Sequence, residues 1–81
     1  MYKTTVQVKG MMCGMCENHV NDAVRNAFNP KKVSSSRTDN ETVIISKEIL
    51  DIEAVRKTIA DTGYEVGEIR TEEYEKKGLF S

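Results

Sequence analysis

Five of the six sulfur atoms in the chain lie within six residues, Met11-Met12-Cys13-Gly14-Met15-Cys16. Thiolates are soft donors that favour Cu(I) and other soft ions over Mg, Ca or Mn. Two cysteines separated by two residues, at a turn leading into a helix, can bring both sulfurs close together. Backbone amide donors and the positive end of the helix dipole there favour the thiolate form. Zinc ordinarily takes four protein ligands in a structural site, or three plus water in a catalytic one. The only further strong candidate is His19, and no second C-x-x-C occurs. Two thiolates alone suit a monovalent d¹⁰ ion of low coordination number, although Hg(II) and Zn(II) stay open because metal availability counts as much as ligand type.

The elements that must hold this loop can be read on either side of it. Tyr2, Thr4, Val6 and Val8 alternate with Lys3, Thr5, Gln7 and Lys9, which predicts a strand covered on one face and stopped at Gly10. From Cys16 the apolar residues Val20, Ala23, Val24, Ala27 and Phe28 recur at helical spacing, ending at Asn29 and Pro30. Val33 with Ser35, and Val43 with Ile45, predict two short strands joined by the turn Thr38-Asp39-Asn40-Glu41. Asp51 reads as a helix N-cap, with Leu50 placed to pack on Val55. Ile52, Val55, Ile59 and Thr62 form an inward stripe, and Gly63 suits a left-handed residue past the helix end. Val66 and Ile69 flank Gly67 at a spacing that predicts a bulged last strand.

The order strand, helix, strand, strand, helix, strand is the split βαβ pattern of an α+β, ferredoxin-like fold. It implies a four-stranded antiparallel sheet with both helices on one face. The polar run Val33-Ser34-Ser35-Ser36 weakens one side of the expected core. The domain is expected over residues 1–71, and the charged, aperiodic residues 72–81 read as a mobile tail in which Leu79 and Phe80 are the only large apolar residues.

At 81 residues the chain has room for one domain, since domains run from ~50 to 250 residues. Twelve Lys and Arg against thirteen Asp and Glu, with no Trp, argue against a nucleic-acid binder. The charge is uneven: seven basic against four acidic residues in 1–47, five against nine in 48–81. Such a polarised molecule can steer a charged partner. No apolar run reaches the ~18 to 20 residues of a membrane span, and Met1 to Gly10 has no secretory h-region. A cytoplasmic location with no membrane insertion is therefore the expectation. There a close cysteine pair is a metal or redox site rather than a staple.

Gly10-Met11-Met12-Cys13-Gly14-Met15-Cys16 resembles the G-M-x-C-x-x-C motif of heavy-metal-associated domains, the fold of copper chaperones and of the N-terminal modules of copper-transporting ATPases. The resemblance extends over roughly Tyr2 to Thr71, and the motif sits where that fold places it, after the first strand. It implies that Cys13 and Cys16 are the Cu(I) ligands and that Met11 is tucked under the loop. Thr62-Gly63-Tyr64 resembles the loop before the last strand where bacterial copper chaperones commonly carry Tyr, which implies that Tyr64 lies close to the thiolates. Met12 departs from the Thr or Ser common before the first cysteine. Met12 and Met15 read as adaptable hydrophobic cover or auxiliary ligands. His19, one helical turn after Cys16, reads as a non-ligand on the monomer that is able to bridge a metal-linked dimer.

The resemblance implies a carrier that catalyses no chemical step and that docks transiently on the metal-binding domain of a copper-transporting ATPase. Arg25, Lys31 and Lys32 are expected to supply complementary charge. The alternative of another class is a thiol-disulfide redox module, because Cys13-Gly14-Met15-Cys16 superficially resembles the C-G-P-C of thioredoxins. That fold needs a longer chain and a cis-proline facing the cysteines, whereas Pro30 follows the first helix.

Overall fold

The alternation at the start of the chain becomes a strand, β1 (Tyr2–Lys9), in which Thr4, Val6 and Val8 are fully buried and Gln7 and Lys9 are exposed. In the computed structural model, which describes residues 1–11 and 14–74, β1 is followed by α1 (Gly14–Phe28), β2 (Lys32–Ser36), β3 (Glu41–Ser46), α2 (Ile52–Ala60) and β4 (Glu65–Glu73). β1 pairs antiparallel with β3 on one side and β4 on the other, and the sheet order is β2-β3-β1-β4. Both helices pack on one face, contributing Val20, Val24, Val55 and Ile59 to a core that Val6, Val8, Met11, Val33 and Ile44 complete. This is the expected ferredoxin-like arrangement.

Local chemistry accounts for the element ends. Asn29 closes α1 with φ 49°, its N–H donating to the Arg25 carbonyl, and Pro30 follows. Asp51 caps α2, its side chain accepting from the Glu53 N–H at 3.0 Å. Gly63 takes the left-handed conformation beyond it, with φ 101°. The expected bulge lies in β4: Val6 faces Ile69 and Val8 faces Val66, so three steps on β4 oppose two on β1. Arg56 Nη1 donates to the Gly67 carbonyl there at 3.1 Å.

The structure departs from the sequence reading at several places. In β3 the helix-facing residues are Thr42 and Ile44, opposite Val6 and Thr4, whereas Val43 and Ile45 lie on the open face opposite Thr5 and Lys3. The unbroken run Thr42-Val43-Ile44-Ile45 carries no period, and only the register chooses its face. On α2, Ile52 is 39% exposed and Thr62 lies past the helix end. Leu50, packed against the core, closes that end instead. On α1, Ala27 is exposed. Finally, β4 runs two residues past Thr71, with Glu72 opposite Lys3 and Glu73 opposite Tyr2, and the Tyr74 N–H donates to the Met1 carbonyl at 2.9 Å. Opposite charges facing each other on the open sheet face let a polar segment continue a strand. The remainder of the expected tail, residues 75–81, lies outside the described residues.

The polar second strand is accommodated by hydrogen bonding. Ser35 Oγ donates to Asn21 Oδ1 of α1 at 2.6 Å and lies 2.8 Å from Thr42 Oγ1 of β3, a fully buried residue. A hydroxyl that joins a helix to two strands offsets the desolvation that otherwise makes a buried threonine such as Thr42 costly.

Candidate metal centre

The sulfur-rich loop joins the end of β1 to the start of α1, and the backbone around it is set by two glycines of different duty. Gly10 has φ 104°, a conformation side chains rarely adopt. It also faces Tyr64, whose Cδ1 is 3.3 Å from the point a Cβ on Gly10 would occupy. Tyr64 is half-buried against the core, so the segment before β4 is held against the start of the loop. Met11 is 5% exposed and belongs to the core cluster, which anchors the loop from below.

Gly14 begins α1, which starts two residues earlier than the sequence spacing predicts, and Cys16 therefore lies in the first turn. It is half-buried and packs against the core. Met12 and Cys13 lie outside the described residues. Met15 is 70% exposed, so its side chain covers little of the loop. His19 is exposed one turn further along α1. Among the described residues, no three His, Cys, Asp or Glu side chains gather as a metal site.

The β2–β3 turn approaches the same end of the molecule. The Val8 N–H donates to the Asn40 carbonyl at 2.9 Å, tying the turn to the end of β1. At the turn's first residue, the Arg37 backbone N–H donates to Glu17 Oε2 at 2.6 Å, and Arg37 Nη1 lies 3.7 Å from Glu17 Oε1. The same Nη1 is 3.8 Å from where a Gly14 Cβ would stand. A cation is thereby held beside the residue between the two cysteines' positions. Sequence reading missed both Arg37 and Glu17, because twenty residues separate them and only the packing of α1 beside β2 brings them together.

The basic residues expected to guide docking lie elsewhere. The Lys31 N–H donates to the Ile45 carbonyl, and Lys31 and Lys32 share a cavity of about 340 Å³ with Met1 and Tyr74. That is the end where β1 begins, opposite the loop. Arg25 sits in the last turn of α1 and pairs with Asp22 at 3.0 Å. Eleven residues of helix beyond Gly14, it is about 16 Å away along the axis. No helix among the described residues is long and apolar enough to cross a membrane.

No protein-family model matches the chain. A mercuric reductase from Lysinibacillus sphaericus is 33% identical over 69 residues, 85% of this chain, and the chain spans 12% of that enzyme's length. Among solved structures, a copper-binding domain from HMA7, a P-type ATPase, is 32% identical with a TM-score of 0.78, the match covering 91% of this chain and all of that one. The copper chaperone Atx1 from Synechocystis PCC6803 is 32% identical with a TM-score of 0.68, over 78% of this chain and 97% of its own. The N-terminal domain of ZntA in its Zn(II) form is 25% identical with a TM-score of 0.70, over 93% and 97%.

Proposed function

The chain belongs to the heavy-metal-associated domain family, and from that premise we propose that it binds one Cu(I) ion through Cys13 and Cys16 and hands it to a partner without catalysing a chemical step. The observation that supports this reading is the position of Cys16: it lies in the first turn of α1, just after a loop that follows β1 and whose Met11 is anchored in the core. Amide donors of that turn and the helix dipole favour thiolate there. Two soft ligands on a loop leave the ion open to a third thiolate, so transfer proceeds by ligand exchange with no release of the metal to water.

The partner we propose is the metal-binding domain of a copper-transporting ATPase, met at the loop end of the molecule, where Arg37 rather than Lys31 or Lys32 supplies positive charge. The setting is a reducing compartment such as the cytoplasm, in which the thiols stay reduced. Met12, Met15, His19 and Tyr64 have at most an auxiliary part. Likeness to the mercuric reductase favours Hg(II) as the second reading for the same two sulfurs. That enzyme's reduction chemistry is not part of the proposal, since this chain matches only a small fraction of it.

The test is competition for Cu(I) against a chelator of known affinity, using the reduced protein and its Cys13→Ser and Cys16→Ser variants. We expect one ion per monomer with a dissociation constant below ~1 pM, and loss of that binding in either variant. Tight binding retained by both variants would overturn the site. Acceleration of insulin reduction by dithiothreitol would favour a redox module instead.

A further inference from the structure

The guanidinium of Arg37 stands beside Gly14, the first residue of α1 and the residue that follows Cys13 in the chain. Arg37 Nη1 stands 3.8 Å from the Cβ position of Gly14, and no other described atom outside the chain neighbours and the helix's own backbone comes within 4 Å of that point. The Glu17 carboxylate lies 3.7 Å from the same Nη1 and accepts the 2.6 Å bond from the Arg37 backbone N–H. Half of the Arg37 side chain is exposed and 23% of that of Glu17. As a surface ion pair it adds little to stability. Its position matters because of the charge that metal loading produces.

A Cu(I) ion bound by two thiolates forms a complex of net charge −1, whereas Hg(II) bound by the same two thiolates forms a neutral one. The difference of one charge is independent of how many protons the unloaded cysteines carry, because both complexes start from the same unloaded protein. A fixed cation near the loop therefore stabilises the first complex relative to the second. We propose that Arg37 is a specificity-determining residue that favours the monovalent over the divalent ion at the Cys13–Cys16 pair, an inference that rests on the metal-binding reading above.

At effective dielectric constants between those of a protein surface and water, one unit charge beside the loop is worth on the order of a few-fold to tens-fold change in an equilibrium constant, with Glu17 offsetting part of it. The effect is screened as ionic strength rises.

The experiment measures dissociation constants for Cu(I) and for Hg(II) by chelator and thiol competition, on the wild-type chain, R37Q, R37K and the Cys13→Ser/Cys16→Ser double variant, at low and high salt. R37Q keeps the backbone N–H that bonds Glu17, and thermal melting of the unloaded protein checks that it folds as the wild type does. The expected result is a Cu(I)/Hg(II) affinity ratio about threefold or more lower in R37Q at low salt, a smaller difference at high salt, and a ratio near wild type in R37K. An unchanged ratio in R37Q, or an equal fall in R37K, would overturn the role of Arg37 while leaving the thiolate site standing. Failure of the wild type to bind Cu(I), or retention of binding by the double cysteine variant, would instead remove the metal-binding reading and the selectivity with it.

Discussion

The ring of Tyr64 stands against Gly10, its Cδ1 3.3 Å from the position of an added Cβ, at the residue where β1 gives way to the sulfur-rich loop. Two independent constraints thus meet at Gly10: a backbone at φ 104° and a ring that would have to give by a few tenths of an ångström to admit a side chain. Gly63, at φ 101°, has the first constraint without the second, since nothing lies within 4 Å of its Cβ position. Both Ala variants should lose stability, at about 1–3 kcal/mol for a residue forced into such a region. Gly10→Ala should lose more than Gly63→Ala. Urea melts of the two variants check the order, and equal losses would mean that Tyr64 moves aside at no cost.

Thr4 of β1 and Thr71 of β4 are register partners whose hydroxyls are both buried with no hydrogen-bond partner among the described residues. A buried hydroxyl left unpaired costs about 1–3 kcal/mol, and a valine of the same shape does not incur that cost. Thr4→Val is expected to raise stability by about 1 kcal/mol, and Thr71→Val to act in the same direction. Because the two side chains face one another, the double variant should not equal the sum. A destabilised Thr4→Val would show that the hydroxyl is bonded in solution.

Ser35 shows the opposite balance. Its hydroxyl serves Asn21 and Thr42 together, and Thr42 is fully buried. Ser35→Ala strands a buried hydroxyl and should cost about 1–2 kcal/mol. Ser34, exposed one residue earlier, supplies the control: its alanine variant should stay within about 0.5 kcal/mol of wild type. Equal effects at the two positions would remove the bridging role.

Met15 is 70% exposed and His19 is also exposed, so binding a metal through either would require ordering a side chain that is otherwise mobile. For a methionine that ordering costs up to ~2 kcal/mol of rotamer entropy. Met12→Leu, Met15→Leu and His19→Ala are therefore expected to shift Cu(I) affinity only slightly, and X-ray absorption on the loaded monomer should show two Cu–S contacts. A third sulfur contact, lost in Met15→Leu along with tenfold or more in affinity, about 1.4 kcal/mol, would establish a three-coordinate site.

The sequence by itself determined the order of elements, the central strand and the place of the sulfur-rich loop. Each of these rests on a short-range signal: the period-two alternation of Tyr2 to Lys9, the helical spacing from Val20 to Phe28, Asp51 at a cap and Gly63 past a helix end. It also gave the bulge at Gly67, because an apolar pair three apart cannot share a strand face without one. The tertiary structure decided what local pattern leaves open. Thr42-Val43-Ile44-Ile45 is apolar on both faces, so the pairing of β3 with β1 and β2 chose Thr42 and Ile44 for the core and left Ile45 beside Lys3 and Lys32. The packing of α1 beside β2 turned Ser35 from an apparent weakness of β2 into a link to α1, and brought Arg37 to Glu17 and Gly14 across twenty or more residues of chain. The fold also puts Lys31 and Lys32 at the end away from the loop, so proximity in sequence to other basic residues says nothing about distance from the cysteine pair. A chain's ligand types are fixed by local sequence, whereas the charges that surround them are set by which strands pair, and pairing is a property of the whole sheet.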